Sequence, residues 1–338
     1  MNTIKDIAKL AKVSVSTASL ALNGKAGVSQ RTKERIMAAA KQLRYIPNSN
    51  ARSLIKRRSN KIGFIVTDIS NPFFGMLAKE INSGVQKHHF DLLMGVSEDK
   101  MRHEVSMVQR FIEARVEGVI LVPTIQPEYD LQHLYQLKSH NIPLVFSTAA
   151  YNGISSDCVM CDLGMGTYLL TSHLLETGHR KIYFFTGNRS TMYSAIRIQG
   201  FKKAFIESGI DFKEEWIIES LPFWTGGYEA ALQVLGNLPD AIITVNDVMA
   251  MGVLKCLKEH NVRVPADVSV AGYDDLEYTS ILETPLTTVR QPIIEIANKT
   301  VERILARMNG DLSPESTFYI EPVLKIRETT LNRGSART

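Results

Sequence analysis

Apolar residues recur at helical spacing over the first 45 positions and gather into short continuous runs after about residue 60, and this change of period divides the chain. Ile4, Ile7, Ala8 and Ala11 share one face of a short helix whose polar positions include Lys5, Lys9 and Lys12. Val13-Ser14 breaks it, and Ser14 is suited to cap a second helix, Val15 to Leu22, whose Ala18 and Leu22 pack back on the first. After the turn Asn23-Gly24-Lys25-Ala26-Gly27, Ser29 opens a third helix from about Gln30 to Leu43. Its inner face is Ile36, Ala39, Ala40 and Leu43, with Arg31, Lys33, Arg35 and Lys41 outside.

From Lys61 the pattern becomes strand, then helix, repeatedly. Apolar runs at Lys61 to Thr67, Leu92 to Val96, Gly118 to Val122, Pro143 to Ser147, Lys181 to Thr186, Trp216 to Leu221, Ala241 to Val245 and Val268 to Gly272 read as strands buried on both faces. Amphipathic stretches at Phe74 to Lys87, His103 to Ala114, Thr167 to Leu175, Gln199 to Glu207, Gly227 to Leu235 and Met249 to His260 separate most of them. Such alternation predicts an α/β body of two doubly wound parallel sheets with a lobe break near Asp162, preceded by an all-helical headpiece. Gly164-Met165-Gly166 has no third glycine and reads as a helix-start turn rather than a dinucleotide loop.

Charge sharpens the division. Residues 1–60 hold thirteen Lys and Arg against Asp6 and Glu34, a surplus of +11; the whole chain stands at +4, so the remaining 278 residues carry −7. A polyanion partner is therefore expected at the N-terminal end. Cys158, Cys161 and Cys256 are the three cysteines, and no apolar leader follows Met1, which together suit a reducing cytoplasm. Alternation in Asp157-Cys158-Val159-Met160-Cys161-Asp162 favours buried strand cysteines over a redox or zinc pair. No metal set and no cofactor loop is expected, and no apolar run reaches the ~20 residues of a membrane span.

Two sets of residues carry candidate chemistry. Two short helices joined by a tight break read as helix-turn-helix, and the second presents Val15, Ser16, Ser19 and Leu20 where a merely solvated helix would carry charges. Hydroxyls and apolar side chains suit base edges and thymine methyls, so Val15, Ser16 and Leu20 are expected on bases, with Ser14, Thr17, Ser19 and Arg31 mainly on phosphates. The other set lies at the strand ends, where ligands of open parallel sheets bind. These deliver Asp68 to Phe74, Ser97, Thr124, Ser147-Thr148, Asp162, Asn188 to Thr191, Asn246-Asp247 and Tyr273-Asp274-Asp275, groups fit for a small hydroxylated ligand. Asp247 or Asp275 taken alone reads as a cap or turn residue.

Tyr45-Ile46-Pro47-Asn48-Ser49-Asn50-Ala51-Arg52-Ser53-Leu54, with Thr3-Ile4-Lys5-Asp6-Ile7-Ala8 and Val13-Ser14-Val15-Ser16-Thr17, resembles the lactose-repressor family of bacterial transcription regulators. Its headpiece ends in Tyr-x-Pro-Asn-x-x-Ala-Arg-x-Leu, and every fixed position is present. Asn71-Pro72-Phe73-Phe74, Gly178-His179-Arg180-Lys181-Ile182, Arg197-x-x-Gly200-Phe201, Asn246 to Gly252, Val264-Pro265-x-Asp267-Val268-Ser269 and Gly272-Tyr273-Asp274-Asp275 extend the likeness through the body.

The resemblance implies a hinge helix over residues 48–56 that folds on operator DNA, with Asn50, Arg52 and Leu54 among its contacts and Leu54 wedged into the minor groove. It also implies effector contacts by Phe73, Phe74, Asp162, Arg197, Phe223 or Trp224, Asn246 and Asp274, in a domain similar to sugar-binding periplasmic proteins. The chain departs from the family pattern at Leu163, where Asn is usual, and at Ser147 or Thr148, where Asp is usual.

The expected divisions are a headpiece at 1–46, a hinge and linker at 47–60, and an effector and dimerisation domain at 61–338. Its first lobe takes in about 61–162 and 292–322, its second about 163–291 and 323–338. One headpiece reads only a half-site, so a homodimer on a near-palindrome is expected, with faces around Met76, Leu77 and Ile81 and around Val248, Met251, Leu254 and Leu257. The competing reading is a sugar-processing enzyme with an accessory nucleic-acid module, and a free-standing transport protein would require export.

Overall fold

Among the described residues of the first unit, three helices form where capping residues stand ahead of apolar stripes. The computed structural model describes residues 2–24, 26–45, 59–124 and 130–334 and divides into two units, Met1–Ser59 and Asn60–Thr338. Helix α1 (Ile4–Leu10) opens with a capping box: the Thr3 backbone N–H and hydroxyl donate to Asp6 Oδ2 at 2.7 and 2.8 Å. Ser14 accepts from the Thr17 N–H at 3.1 Å to cap α2 (Val15–Leu22), and Ser29 accepts from Thr32 at 3.4 Å to cap α3 (Gln30–Gln42). Ile7, Ala11, Ala21, Ile36 and Ala39 form the shared core, with Leu22, Ala40 and Leu43 packed against it. The expected hinge helix over residues 48–56 lies outside the described residues.

The second unit is built on two parallel sheets. The first is ordered β11-β5-β4-β3-β1-β2, comprising β1 (Lys61–Val66), β2 (Asp91–Val96), β3 (Gly118–Leu121), β4 (Leu144–Ser147), β5 (Asp157–Cys161) and β11 (Thr317–Ile320). The second is ordered β7-β6-β8-β9, from β6 (Ile182–Thr186), β7 (Ile217–Glu219), β8 (Ala241–Thr244) and β9 (Ser269–Ala271). All the registered pairings within both are parallel, and the short β10 (Thr288–Arg290) and β12 (Val323–Lys325) pair antiparallel. The expectation of buried strand cysteines is borne out in β5, which is buried at all five positions rather than alternating and has the helix Ile293–Met308 packed against it. Its Cys158 and Cys161 are free, and burial pushes both thiols up to about 12.

Helices cover the sheets: α4 (Pro72–Lys87), α5 (Met101–Glu113), α6 (Gln132–Ser139) and α11 (Ile293–Met308) in the first lobe, and α7 (Leu163–Glu176), α8 (Met192–Ser208), α9 (Trp224–Val234) and α10 (Asp247–Glu259) in the second. Most begin earlier than the apolar spacing predicts, at residues such as Asp162, Thr191 and Asn246 that cap them. α11 packs on α4 and on β3, β4 and β5 through Ile293, Ile296, Ala297, Val301 and Ile304.

The described chain crosses between the lobes three times: after β5, between β10 and α11, and between β11 and β12. Of the faces expected to pair two copies, Leu77, Ile81 and Leu257 are fully buried within their own chain, whereas Met76 is 37% exposed.

Candidate functional site

On the first unit, α2 carries no charged residue, and its N-terminal end shows Val15 and Ser16 to solvent, with Leu20 half-buried one turn on. Ser14 Oγ lies 2.7 Å from both Ser16 Oγ and Thr17 Oγ1, so the hydroxyls at this end form one cluster beside the cap. Ser19 is half-buried near the Asn23 amide, and Arg31 is exposed at the start of α3. Asn50, Arg52 and Leu54 lie outside the described residues.

In the second unit a cleft of about 940 Å³ opens at the carboxyl ends of the strands of both sheets. Parallel strands end together there, so the residue following each strand is delivered to one place. Thr67 and Asp68 after β1, Glu98 and Asp99 after β2, and Thr148 after β4 line one side. Asn188 after β6, Glu219 and Ser220 at the end of β7, Asn246 after β8 and Asp274 after β9 line the other. Ser97 and Thr124 instead face inward, Thr124 bonding Glu104 and Tyr151. Asp247 and Asp275 are structural: Asp247 is buried and accepts from Leu276 N–H and Thr288 Oγ1, and Asp275 pairs with Arg290 and Arg327.

Phe73 and Phe74 both line the cleft and meet edge to face, their ring centroids 5.2 Å apart at 80°. Asn71 fixes them by accepting from the Phe73 N–H at 3.0 Å, with Pro72 at the first helical position. Opposite, the Arg197 guanidinium lies over the Tyr273 ring at 4.8 Å, and its buried Nε has no hydrogen-bond partner among the described residues. Asp274 also lines the cleft, 5% exposed in a positive-φ conformation (φ 116°), and accepts from Gln291 Nε2 at 2.7 Å. Burial raises its carboxyl to about 7, against the opposing pulls of Gln291 and Arg197. Asn246 lines the cleft while Oδ1 caps α10 at Met249 N–H (2.7 Å) and Nδ2 donates to Pro222 O (2.9 Å), which leaves one N–H for a ligand.

Two of the expected effector residues fall outside this lining. Asp162 spends Oδ1 on the Met165 N–H at 2.9 Å as the cap of α7, and Trp224 begins α9 next to Phe223, which does line the cleft. Leu163 lines the cleft where its predecessor does not. Of the two candidates after β4, Thr148 lines the cleft, whereas Ser147 turns its hydroxyl to Thr300 at 3.3 Å. Sequence reasoning passed over Gln291, the partner of Asp274, which follows the three-residue β10 at the crossover to α11, a strand too short to show as an apolar run. Among the described residues no group of three His, Cys, Asp or Glu could hold a metal ion, and no helix is long and apolar enough to cross a membrane.

A helix-turn-helix unit and a two-sheet ligand cleft in one chain define a DNA-binding transcription regulator under small-molecule control. The family profile described as "Bacterial regulatory proteins, lacI family" matches residues 3–48, and that of a "Periplasmic binding protein-like domain" matches residues 171–330. The chain is 31% identical over 334 residues to the ribose operon repressor of Haemophilus influenzae, covering 97% of this chain and 98% of that one. Its structure is similar to that of the lac repressor dimer bound to operator and the anti-inducer ONPF (TM-score 0.86, 27% identity, 98% and 99% of the two chains). It is also similar to that of the transcriptional regulator CelR in complex with cellobiose (TM-score 0.72, 25% identity, 97% and 100%). The chain belongs to the LacI family of bacterial transcription regulators, which bears out the resemblance read from its motifs.

Proposed function

We propose that this protein is a cytoplasmic, non-catalytic repressor that binds a near-palindromic operator as a homodimer, and that a sugar or sugar derivative in the cleft changes its operator affinity. The observation that carries the effector reading is the cleft itself, where Asp274 and Arg197 face Phe73 and Phe74 across the gap between the sheets. Vicinal hydroxyls need carboxylate acceptors and fixed donors, and the C–H faces of a sugar ring stack on aromatics. The names of two similar proteins, a ribose operon repressor and a regulator in complex with cellobiose, point the same way. On the DNA side, Val15, Ser16 and Leu20 read bases, and Ser14, Thr17, Ser19 and Arg31 hold phosphates. Asn50, Arg52 and Leu54 act in the hinge, and Phe223, Asn246, Asp162 and Trp224 complete or buttress the effector set. Operator binding titrated against a panel of sugars and sugar phosphates tests the reading. A sugar that changes operator affinity supports it, and a panel that leaves affinity untouched opposes it.

A further inference from the structure

The charge around the cleft narrows the ligand class, on the assumption that the sugar reading above holds. Asp68, Glu98, Asp99, Glu219, Glu229 and Asp274 line it, and Arg197 is the one basic side chain among the described lining residues. Most of the hydrogen bonds that fix these acids leave their charge in place. Asp68 accepts from the Ser70 N–H and hydroxyl, both at 2.8 Å. Glu219 accepts from the Arg189 backbone N–H at 3.2 Å, and Asp274 from the Gln291 amide. Glu98 has Lys100 at 2.9 Å, but both side chains are about half exposed, so that pair is screened by solvent. Arg197 is turned onto the Tyr273 ring, and Asp274, ionised in part near neutral pH, opposes some of its charge.

A concave site with low-dielectric walls focuses the field of its lining charges. A phosphate or carboxylate on the ligand enters against carboxylates from both lobes, with one guanidinium to receive it. Hydroxyls meet acceptors, and an ammonium group meets acceptors of opposite charge.

We propose that the cleft selects uncharged or amine-bearing saccharides and rejects their phosphorylated or carboxylated counterparts. Calorimetric titration of the full-length protein with matched probes tests this: ribose against ribose 5-phosphate, cellobiose against its 6-phosphate, and glucose against glucosamine and glucose 6-phosphate. In each series that binds, the neutral member should be favoured over its phosphate by about tenfold or more at low ionic strength, a gap that added salt narrows. Glucosamine should bind at least as well as glucose. The Asp68→Asn, Glu219→Gln double variant, checked for folding by circular dichroism, should shrink the same ratio. A phosphate ester that binds as tightly as its parent sugar at low salt overturns the charge selection and leaves the sugar reading standing. If no probe binds in any charge state, the sugar reading and this inference fall together.

Discussion

Asp274 is the lining carboxylate with the most perturbed ionisation, and its burial sets how the cleft should respond to pH. Its folded value of about 7 stands above the ordinary aspartate value of about 3.9. Between those values the folded state keeps a proton that the unfolded chain has released, so this group's contribution to stability falls as pH rises through the window. Ligand binding moves the other way. A sugar hydroxyl donates best to the ionised carboxylate, so effector affinity should rise as pH passes about 7, and Asp274→Asn should flatten that profile in calorimetry. Asp274→Ala should abolish the effector response while ligand-free operator binding persists. In the headpiece, Val15→Ala and Leu20→Ala should reorder the affinities of operator variants that differ by thymine-to-uracil changes, because two apolar side chains at this helix end suit thymine methyls. An unchanged ranking would remove both residues from base reading.

At the scale of elements, the second lobe depends on two helix pairs that touch through glycine. A methyl group at Gly200 of α8 would collide with the carbonyl oxygen of Gly164 in α7, and one at Gly252 of α10 with the carbonyl oxygen of Trp224 in α9. Backbone is the obstacle in both cases, so rotamer changes cannot relieve it. Gly200→Ala should cost about 1–3 kcal/mol, visible as a lowered thermal midpoint. Gly164 also explains why α7 is longer than its apolar periodicity suggests: a residue chosen for close approach carries no hydrophobic signal, and Gly164-Met165-Gly166 reads as a turn. α11 has a clear stripe at helical spacing and falls in the 292–322 segment expected to rejoin the first lobe, yet the strand–helix alternation ends near Gly272, and the apolar pattern does not show β11 beside β5.

At the scale of the whole molecule, three crossovers join two lobes that share one cleft, so a ligand held from both sides favours the lobe arrangement that fits it. Effector control of operator affinity then amounts to its preference between arrangements, typically ~1–3 kcal/mol of coupling. Leu54→Ala should lower operator affinity and DNA bending in gel-shift assays while leaving effector affinity of the free protein unchanged. Unaltered bending would sink the wedge role of Leu54. Sedimentation at concentrations that saturate operator should give a dimer, and a monomer there would exclude pairing through the exposed part of the Met76 face or through Val248 and Met251.

Local chemistry was enough to establish much of this protein. Ser14, Ser29 and the spacing of Ile7, Ala11, Ile36 and Ala39 act within a few residues, so the three headpiece helices are legible in the chain, as is the basic surplus that points to DNA. Continuous apolar runs identify the buried parallel strands, and family motifs identify the regulator. Tertiary structure decided which strand-end groups reach the ligand. Asp162 caps a helix while Leu163 faces the cleft, Thr148 faces it while Ser147 turns to Thr300, and Gln291 arrives beside Asp274 from another crossover. Those outcomes depend on burial and on partners brought together by the lobe crossings, Ser147 and Thr300 being 153 positions apart, and no local pattern of residues encodes such neighbours.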